Sequence, residues 1–412
     1  MKKTFSMTLL AILCLSTVSI LALNAMAQES TNAWPMYHHD LAHTGLTSSP
    51  QANANQTLWT FTTDGPVWSS PAVVDGVVYV GSFDHNVYAL DAETGAKKWS
   101  YPTGDRIYSS PAVANGIVYV GSNDHNVYAL STTNGGLVWN YSTGNQVQCS
   151  PSVSNGIVYV GSNDNNLYAL NASNGALVWE FPTGNDVISS PAVVGGVVYV
   201  GSYDRKVYAV DAATGIQKWS YTAGSVIESS PVVANGLLYV GCYDNKTYAL
   251  DAATGTSKWN FTAGYDLCVQ ASPAFANNIV YTGGAYDGNV YALDATTGAK
   301  LWNYTLGGGI ISAPAIAGNM VYVNSCDFVS SRDNGTYALD ASTGALIWSH
   351  QAKGLLYSSP AVVNGVVYIG AHDNNVYAIG QTPSNNTYYI VAAVIVIVVV
   401  ILVVAVLFRR RH

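Results

Sequence analysis

Short apolar runs with a two-residue alternation recur along most of the chain, at intervals of about 40 residues. In the first interval, Val77-Val-Tyr-Val80 and Val87-Tyr-Ala-Leu90 are separated by polar residues, and Asp75-Gly76 precedes them. This pattern predicts antiparallel strands joined by tight turns. We expect four strands in the interval, at Ser69–Asp75, Val77–Ser82, Asn86–Ala92 and Ala96–Tyr101. Four such strands per repeat are typical of one β-propeller blade.

Eight copies of this repeat are marked by a proline in the first strand and a tryptophan in the last. The prolines are Pro71, Pro111, Pro151, Pro191, Pro231, Pro273, Pro314 and Pro360. The tryptophans are Trp59, Trp99, Trp139, Trp179, Trp219, Trp259, Trp302 and Trp348. Trp59 precedes the first proline, and the last repeat ends at Gly380 after three strands. We therefore predict an all-β, eight-bladed propeller over residues 57–380 with a mixed-strand ring closure, in which Thr57–Thr62 supplies the missing strand.

The turn before each tryptophan carries a second pattern. The segment Ala89-Leu-Asp-Ala-Glu-Thr-Gly-Ala-Lys-Lys-Trp99 has the spacing A-x-D-x-x-x-G-x-x-x-W, which recurs in seven copies. Ser131 and Asn171 replace the aspartate in two of them. This spacing resembles the tryptophan-docking motif of the pyrroloquinoline-quinone (PQQ) repeat superfamily. The lead-in Trp34-Pro-Met-Tyr-His-His-Asp-Leu-Ala-His-Thr-Gly45 also resembles the opening of BamB-like members.

The resemblance implies two classes of function. The superfamily includes quinoprotein alcohol dehydrogenases and non-enzymatic propellers of the BamB-like assembly-scaffold type. In the dehydrogenases a vicinal cysteine pair covers the quinone, whereas this chain has no adjacent cysteines and no long inserted loops. We expect a scaffold without catalysis or cofactor, and a PQQ-dependent dehydrogenase is the alternative. The resemblance also assigns structural docking between blades to the eight tryptophans.

Tyrosines form two further columns within the repeats. Sixteen of the 29 tyrosines occupy them, and Tyr79 and Tyr88 are the first of each column. A stripe of aromatic side chains is compatible with ligand stacking. In a periodic chain, packing between neighbouring blades is the better explanation.

Both ends of the chain differ in composition from the repeats. Residues 1–27 resemble a cleaved secretory signal, with Lys2-Lys3, an apolar stretch and Ala25-Met-Ala27. The 19 residues Ile390–Phe408 are apolar and uncharged, and Arg409-Arg-Arg-His412 follows. These features predict a single-pass membrane protein with its propeller outside the cell. The expected domains are a signal at 1–27, a lead-in at 28–56, the propeller at 57–380, a tether at 381–387, a transmembrane helix at 388–408 and a cytoplasmic tail at 409–412.

The charge of the exported part restricts its partners. Without the signal and the tail, 11 Lys and Arg (16 minus 5) stand against 24 Asp and Glu, a net charge of −13. Such a surface argues against nucleic acid or anionic lipid. We expect a monomeric propeller that binds an envelope or extracellular protein, or a glycan if the protein is adhesive. Eight N-x-S/T sequons fit a glycoprotein, at Asn55, Asn140, Asn171, Asn245, Asn260, Asn303, Asn334 and Asn385.

Cysteines and histidines give no strong metal signal. Cys149, Cys242, Cys268 and Cys326 lie in different repeats without a C-x-x-C pair. They are either buried small residues or include one bridge between neighbouring blades. The cluster His38-His39-Asp40 with His43 could in principle hold a metal, but packing of the lead-in over the propeller is preferred over a metal site.

A candidate binding ring is formed by the variable position three residues before each marker proline. This position lies in the loop that enters the innermost strand beside the central channel. Loops on a rigid scaffold are the usual place for binding, although drift of exposed positions would also produce variability. The ring consists of Trp68, Tyr108, Gln148, Ile188, Glu228, Gln270, Ile311 and Tyr357. On the same face we expect the hairpins that include Asp84-His85, in which the aspartate suits a tight turn.

Overall fold

A computed structural model of the chain describes residues 33–264, 269–285, 287–326 and 333–381. Within these ranges the helices and strands assigned to the chain are all β-strands. Two strands, β1 (Leu46–Thr47) and β2 (Gln56–Thr62), precede the repeats. The remaining strands form eight sheets, one for each repeat, so the eight-bladed propeller expected from the sequence is confirmed.

The first four blades are four-stranded antiparallel sheets in simple chain order. Blade 1 contains β3 (Ala72–Val74), β4 (Val77–Gly81), β5 (Asn86–Asp91) and β6 (Lys97–Pro102). Blade 2 contains β7 (Ala112–Ala114), β8 (Ile117–Gly121), β9 (Asn126–Ser131) and β10 (Leu137–Ser142). Blade 3 contains β11 (Ser152–Ser154), β12 (Ile157–Gly161), β13 (Asn166–Asn171) and β14 (Leu177–Pro182). Blade 4 contains β15 (Ala192–Val194), β16 (Val197–Gly201), β17 (Lys206–Asp211) and β18 (Gln217–Thr222).

The last four blades repeat this arrangement, with additions at the seam. Blade 5 contains β19 (Val232–Ala234), β20 (Leu237–Cys242), β21 (Lys246–Asp251) and β22 (Ser257–Thr262). Blade 6 contains β23 (Ala274–Ala276), β24 (Ile279–Gly283), β25 (Asn289–Asp294) and β26 (Lys300–Thr305). Blade 7 contains β27 (Ala315–Ala317), β28 (Met320–Asn324), β29 (Gly335–Asp340) and β30 (Leu346–Gln351). Blade 8 contains β31 (Ala361–Val363), β32 (Val366–Gly370) and β33 (Asn375–Gly380), followed in space by β2.

Local sequence explains why these strands form. Val78 and Val80 are fully buried in β4, as the apolar alternation requires, and Tyr79 is almost fully buried between blades. The turn between β3 and β4 places Asp75 at φ 50° and Gly76 at φ 70°, and tight hairpins with two such residues match the right-handed twist of strands. The innermost strands are shorter than the sequence suggested. The backbone N–H of Ser70 bonds to Ser110 of the next blade, and Ser69 contacts β4 through its side chain, which accepts the Gly81 N–H.

The ring closes with strands from both ends of the chain. Strand β2 pairs antiparallel with β33, from Gln56 opposite Gly380 to Thr62 opposite Asn375. Blade 8 is therefore built from the first and last parts of the propeller, as the offset of prolines and tryptophans predicted. This pairing covers the edge of β33 that would otherwise be exposed.

The lead-in segment, described here from residue 33 to residue 55, lines the inner strands of the propeller. Its backbone pairs with Val73 through Trp34 and then bonds successively to the innermost strands of blades 2, 4, 5, 6 and 7. Strand β1 joins blade 7 as a fifth strand, parallel to β27. The sequence suggested packing over the propeller but did not predict this path along the inside of the ring.

Several sequence-based expectations fall outside the described residues. They are the signal at 1–27, tether residues 382–387, the apolar segment 388–408 and the tail at 409–412. Across the part of the chain that is described, no helix is long and apolar enough to span a bilayer.

Candidate functional site

The eight residues of the candidate binding ring occupy equivalent places in the eight blades. Each is half-buried, whereas the residue just before it is buried in the core, as in the pair Val67 and Trp68. The backbone at these positions is thus held by the propeller while the side chains remain partly accessible. We call this set of eight side chains the channel mouth: Trp68, Tyr108, Gln148, Ile188, Glu228, Gln270, Ile311 and Tyr357.

A chain of hydrogen bonds between blades fixes the backbone below the channel mouth. The serine before each marker proline accepts a hydrogen bond from the backbone N–H of the equivalent residue in the preceding blade, as in Ser70 N–H to Ser110 Oγ at 2.8 Å. Seven serines form this serine ring, and Ala313 of blade 7 interrupts it. The members are Ser70, Ser110, Ser150, Ser190, Ser230, Ser272 and Ser359.

The lead-in segment reaches the serine ring from the other side. The hydroxyl of Tyr37 donates a hydrogen bond to Ser272 Oγ at 3.0 Å, and the Tyr37 ring stacks on His38. Burial raises the pKa of Tyr37, and the nearby charge of Glu228 acts in the same direction. The channel mouth therefore has a floor of serine hydroxyls and Tyr37, and the side chain of Glu228 lies close enough to influence that floor.

Aromatic side chains from three consecutive blades make one side of the mouth. Trp68 stacks on Tyr357 with ring centroids 3.8 Å apart and an interplanar angle of 13°. Tyr108 meets the edge of Trp68 at 5.3 Å and packs on Phe83 at 4.4 Å. The Trp68 indole N–H donates to His372 Nδ1 at 3.1 Å. We call these five residues of blades 8, 1 and 2 the aromatic wall.

A carboxylate with three neutral donors makes the opposite side. Glu228 Oε2 accepts hydrogen bonds from the hydroxyls of Tyr203 at 2.6 Å and Tyr243 at 2.5 Å. Its Oε1 accepts one from Gln270 Nε2 at 2.9 Å. Burial, followed by the charge of Glu228, raises the pKa of Tyr203, so its hydroxyl stays protonated and remains a donor. We call these four residues the acidic wall; they belong to blades 4, 5 and 6, across the channel from the aromatic wall.

The other mouth residues connect the two walls. Gln148 donates to Gln146 Oε1 at 3.1 Å, while Ile188 and Ile311 contribute apolar side chains. The structure thus brings all eight ring residues to one rim, but it divides them into chemically different sides. That division could not be read from the order of the repeats.

A second variable column at the mouth escaped sequence reasoning. It occupies the b-to-c hairpins, one residue before the turn aspartate, and supplies Phe83, Tyr203, Tyr243 and His372 to the walls. The hairpin pairs considered from the sequence consisted of the aspartate and the residue after it, except His372-Asp373, which includes the residue before it. The residue after the aspartate is at φ 73° in His85 and Arg205, a left-handed conformation that points to a turn function. Variation in the column before the aspartate was the available signal.

The hairpin aspartates do more than form turns. The Asp84 carboxylate accepts a hydrogen bond from the Tyr88 hydroxyl at 2.8 Å and another from the backbone N–H of Asp64 at 2.9 Å. One carboxylate therefore connects a hairpin, a strand and the loop that enters the blade. Blade 6 repeats this with Asp287 and Tyr291, and burial followed by Asp287 raises the pKa of Tyr291 to about 12. These aspartates stabilise the loops on which the mouth is built.

Seven of the eight docking tryptophans bond to the following blade. The indole N–H of Trp59 donates to the Ala92 carbonyl oxygen at 2.9 Å, and a Cβ on Gly95 would come within 2.7 Å of that indole ring. The equivalent contacts join blades 1 to 7 in order. Trp99, Trp139, Trp179, Trp219, Trp259 and Trp302 bond to carbonyls of the next repeat, and Trp348 bonds to Ala52 of the lead-in segment.

The histidines of the lead-in segment serve packing. His38 Nδ1 donates to the His43 carbonyl oxygen at 2.7 Å, and His43 Nδ1 donates to the Pro231 carbonyl oxygen at 3.2 Å. Desolvation lowers the pKa of His38 to about 3 and that of His43 to about 4, so both are neutral. Among the described residues no group of three or more His, Cys, Asp or Glu is arranged to hold a metal ion.

The described cysteines are buried small residues. Cys149 Sγ accepts a hydrogen bond from the Gly161 N–H at 3.0 Å, the same contact that Ser69 makes with Gly81 in blade 1. Cys149 and Cys242 are free thiols, and Cys326 is buried, while Cys268 lies outside the described residues. Burial raises the pKa of Cys149 and of Cys242 to about 12.

The sequons differ in accessibility. The side chains of Asn55, Asn140, Asn260 and Asn303 are exposed, and the last three lie on outermost strands. Asn334 is 4% exposed, so a glycan there would conflict with the folded blade. Asn385 is outside the described residues.

The fold defines the protein as an eight-bladed β-propeller with a mixed-strand closure. The profile of the family described as outer membrane protein assembly factor BamB matches residues 48–180, 142–262, 186–286 and 267–381. The chain therefore belongs to this family of PQQ-repeat propellers. No curated protein shows a significant match to the chain.

Solved structures with the same fold have different functions. BamB from Moraxella catarrhalis has a TM-score of 0.66 at 21% identity, covering 80% of this chain and 98% of that one. The quinohemoprotein alcohol dehydrogenase from Comamonas testosteroni has a TM-score of 0.73 at 17% identity, covering 85% of this chain and 81% of the enzyme. The computationally designed Ika8 protein has a TM-score of 0.68 at 20% identity, covering 80% of this chain and all of the design (100%). At these identities the likeness concerns the fold alone.

Proposed function

We propose that this protein is a non-catalytic scaffold whose channel mouth binds a segment of another cell-envelope protein. The observation that carries the proposal is the contrast between the two layers of the channel. The serine ring and the docking tryptophans repeat almost unchanged from blade to blade, whereas the eight mouth positions carry five residue types and are half-buried. A rigid frame that carries mixed side chains on loops is suited to binding a specific partner.

The proposal includes a location. The signal-like residues 1–27 direct export, and the apolar segment 390–408 anchors the protein in the membrane with the propeller outside. The net charge of −13 on the exported part (11 Lys and Arg against 24 Asp and Glu) suits a solvated surface and a partner that is neutral or basic.

The residues at the mouth do not fit the quinone of the dehydrogenases. PQQ carries three carboxylates, and the acidic wall would place the charge of Glu228 beside them. The chain has no adjacent cysteines, and the described residues hold no metal-binding group of three or more His, Cys, Asp or Glu. We expect no absorbance change and no calcium-dependent dye reduction when PQQ and an alcohol are added to the purified protein. Stoichiometric PQQ binding with alcohol oxidation would favour the dehydrogenase instead.

Photo-cross-linking in intact cells tests the scaffold directly. A photoreactive amino acid is introduced at Tyr108 or Gln148 in the mouth and, as a control, at Lys258 on the outermost strand of blade 5. We expect a discrete protein adduct from the mouth positions and none from Lys258. Adducts that contain only polysaccharide would support a glycan-binding adhesive protein, and equal labelling from all three positions would contradict a site at the mouth.

A further inference from the structure

We infer that the channel mouth recognises a basic side chain, lysine or arginine, on the protein segment that it binds. This inference rests on the function proposed above and names the chemistry of the partner. Its basis is the pairing of an acidic wall and an aromatic wall across one channel.

Glu228 is a preorganised carboxylate that has no cationic partner among the described residues. Tyr203, Tyr243 and Gln270 fix its orientation through three neutral donors at 2.5–2.9 Å, so neither oxygen is free to turn away. In the described part of the chain all six ion pairs involve aspartates, and none includes Glu228. A half-buried carboxylate in this state attracts a cation more strongly than a solvated one, because less water screens its charge.

The carboxylate also acts on the channel itself. Its charge contributes to the raised pKa of Tyr37, whose hydroxyl lies on the channel floor and donates to Ser272 at 3.0 Å. The charge of Glu228 therefore acts on the buried Tyr37 hydroxyl at the floor of the mouth. A cation that entered the channel would meet this charge together with serine and tyrosine oxygens that can accept hydrogen bonds.

The aromatic wall already accommodates a guanidinium from this chain. Arg106 Cζ lies 5.6 Å from the centroid of the Phe83 ring, within the range of a cation–π contact. Phe83 packs on Tyr108 and Trp68, which extend the same surface toward the channel. Arginine and lysine combine an apolar stem with a charged end, so such a side chain suits a mouth that presents both aromatic rings and a carboxylate.

The packing of Trp68 disfavours a sugar at the same place. A pyranose stacks on an open aromatic face, but one face of Trp68 is covered by Tyr357 at 3.8 Å. Phe83 and Tyr108 lie 4.9 and 5.3 Å from the indole on other sides.

A double-mutant cycle on the full-length protein, which removes the charge of the peptide and that of Glu228 separately and together, tests the inference. A library of random displayed peptides is selected on the wild type, and a selected peptide is then synthesised with arginine or with citrulline, its neutral analogue. Glu228→Gln removes the charge and keeps the acceptor for Tyr203 and Tyr243. Glu180→Gln, on the exposed face of β14 in blade 3, is the matched control with the same change of charge.

We expect enrichment of lysine or arginine in peptides selected on the wild type and on Glu180→Gln. Citrulline in the peptide, or glutamine at position 228, should weaken binding about tenfold, as expected for a charge-assisted hydrogen bond, and the two changes together should weaken it no further. If Glu228→Gln unfolds at the same temperature as the wild type, its fold is intact.

Two outcomes overturn the inference in different ways. Selected peptides without basic residues, or binding that Glu228→Gln leaves unchanged, would refute the chemistry while the cross-links from the mouth still support a scaffold. Absence of any selected peptide, with binding of a defined oligosaccharide such as chitotriose, would refute both the inference and the proposed function.

Discussion

The indole N–H of Trp348 donates a hydrogen bond to the carbonyl oxygen of Ala52 at 2.8 Å. In the other blades the equivalent indole bonds to the next repeat, as Trp139 does to Ala172 at 2.9 Å. The hydroxyl of Tyr322 converges on the same place, accepting the Ala52 N–H at 2.7 Å. Thus blade 7 docks on the lead-in segment, which replaces the motif that the interrupted eighth repeat lacks.

Replacing Tyr322 with phenylalanine should destabilise the propeller by about 1–3 kcal/mol, because the buried N–H of Ala52 loses its acceptor. The matched control is Tyr79→Phe, since the Tyr79 hydroxyl makes no hydrogen bond within the described residues, and its change should be close to zero. Urea unfolding of the two variants measures the difference. Equal losses would mean that the Ala52 contact contributes nothing to the seam.

Deleting residues 28–62 should yield an aggregating or strongly destabilised product. The deletion removes β2 from blade 8 and the lead-in from the inside of the ring. It also removes the buried Trp59, and truncation of a large buried aromatic side chain typically costs ~3–5 kcal/mol. Deleting 382–412, beyond the last strand, is the control and should leave the unfolding transition in place. A cooperatively folded monomer of wild-type stability after the first deletion would refute the closure.

Substituting two glycines of blade 3 distinguishes the cost of a left-handed backbone from the cost of a clash with a docking tryptophan. Gly175 has φ +71° and its added Cβ would lie 2.7 Å from the Trp139 ring, whereas Gly156 has φ +75° with nothing within 4 Å. We expect Gly156→Ala to cost ~1 kcal/mol for its left-handed backbone alone, and Gly175→Ala to cost clearly more because the indole must move. The free energy of unfolding in denaturant provides the comparison. Similar values for both would show that the tryptophan adapts easily.

Stability should fall as the pH drops below about 6.5. Desolvation holds the pKa of His38 near 3 and that of His43 near 4, while the unfolded residues titrate near 6.5. Between these values the unfolded chain binds more protons than the folded one, so the free energy of unfolding decreases with each step toward acid. Melting temperatures across pH 4–8 should follow this course, and His38→Phe should flatten the part between pH 4 and 6.5. An unchanged slope in that variant would assign the dependence to other groups.

Cys149 should behave as a buried substitute for serine. Its thiol accepts the Gly161 N–H, as serine does in equivalent blades, and its pKa is raised to about 12 by burial. Cys149→Ser should therefore change stability by less than ~1 kcal/mol, in keeping with a similar size and the same acceptor function. A thiol reagent should modify Cys149 in the wild type only after unfolding. Rapid modification of the native protein would contradict the burial.

The repeats made the blade architecture predictable, while the site depended on contacts that no period encodes. The offset between Trp59 and Pro71 indicated the closure, because a strand can complete a blade only where one is missing. The path of the lead-in segment was not predictable, since it bonds through backbone groups that any sequence possesses. Glu228 could be placed on the rim, but its three donors come from different blades and became visible only in three dimensions.

The pairing of β2 with β33 has a consequence for the order of events during biosynthesis. Strand β2 is among the first parts of the propeller to leave the ribosome, and β33 is the last. Strand β2 must therefore wait, unpaired, until almost the whole ring has been made, and long-range pairing of this kind is slow. During that interval the nascent chain exposes an open sheet edge, so export machinery or a chaperone that shields it would set how much protein reaches the completed, circular state.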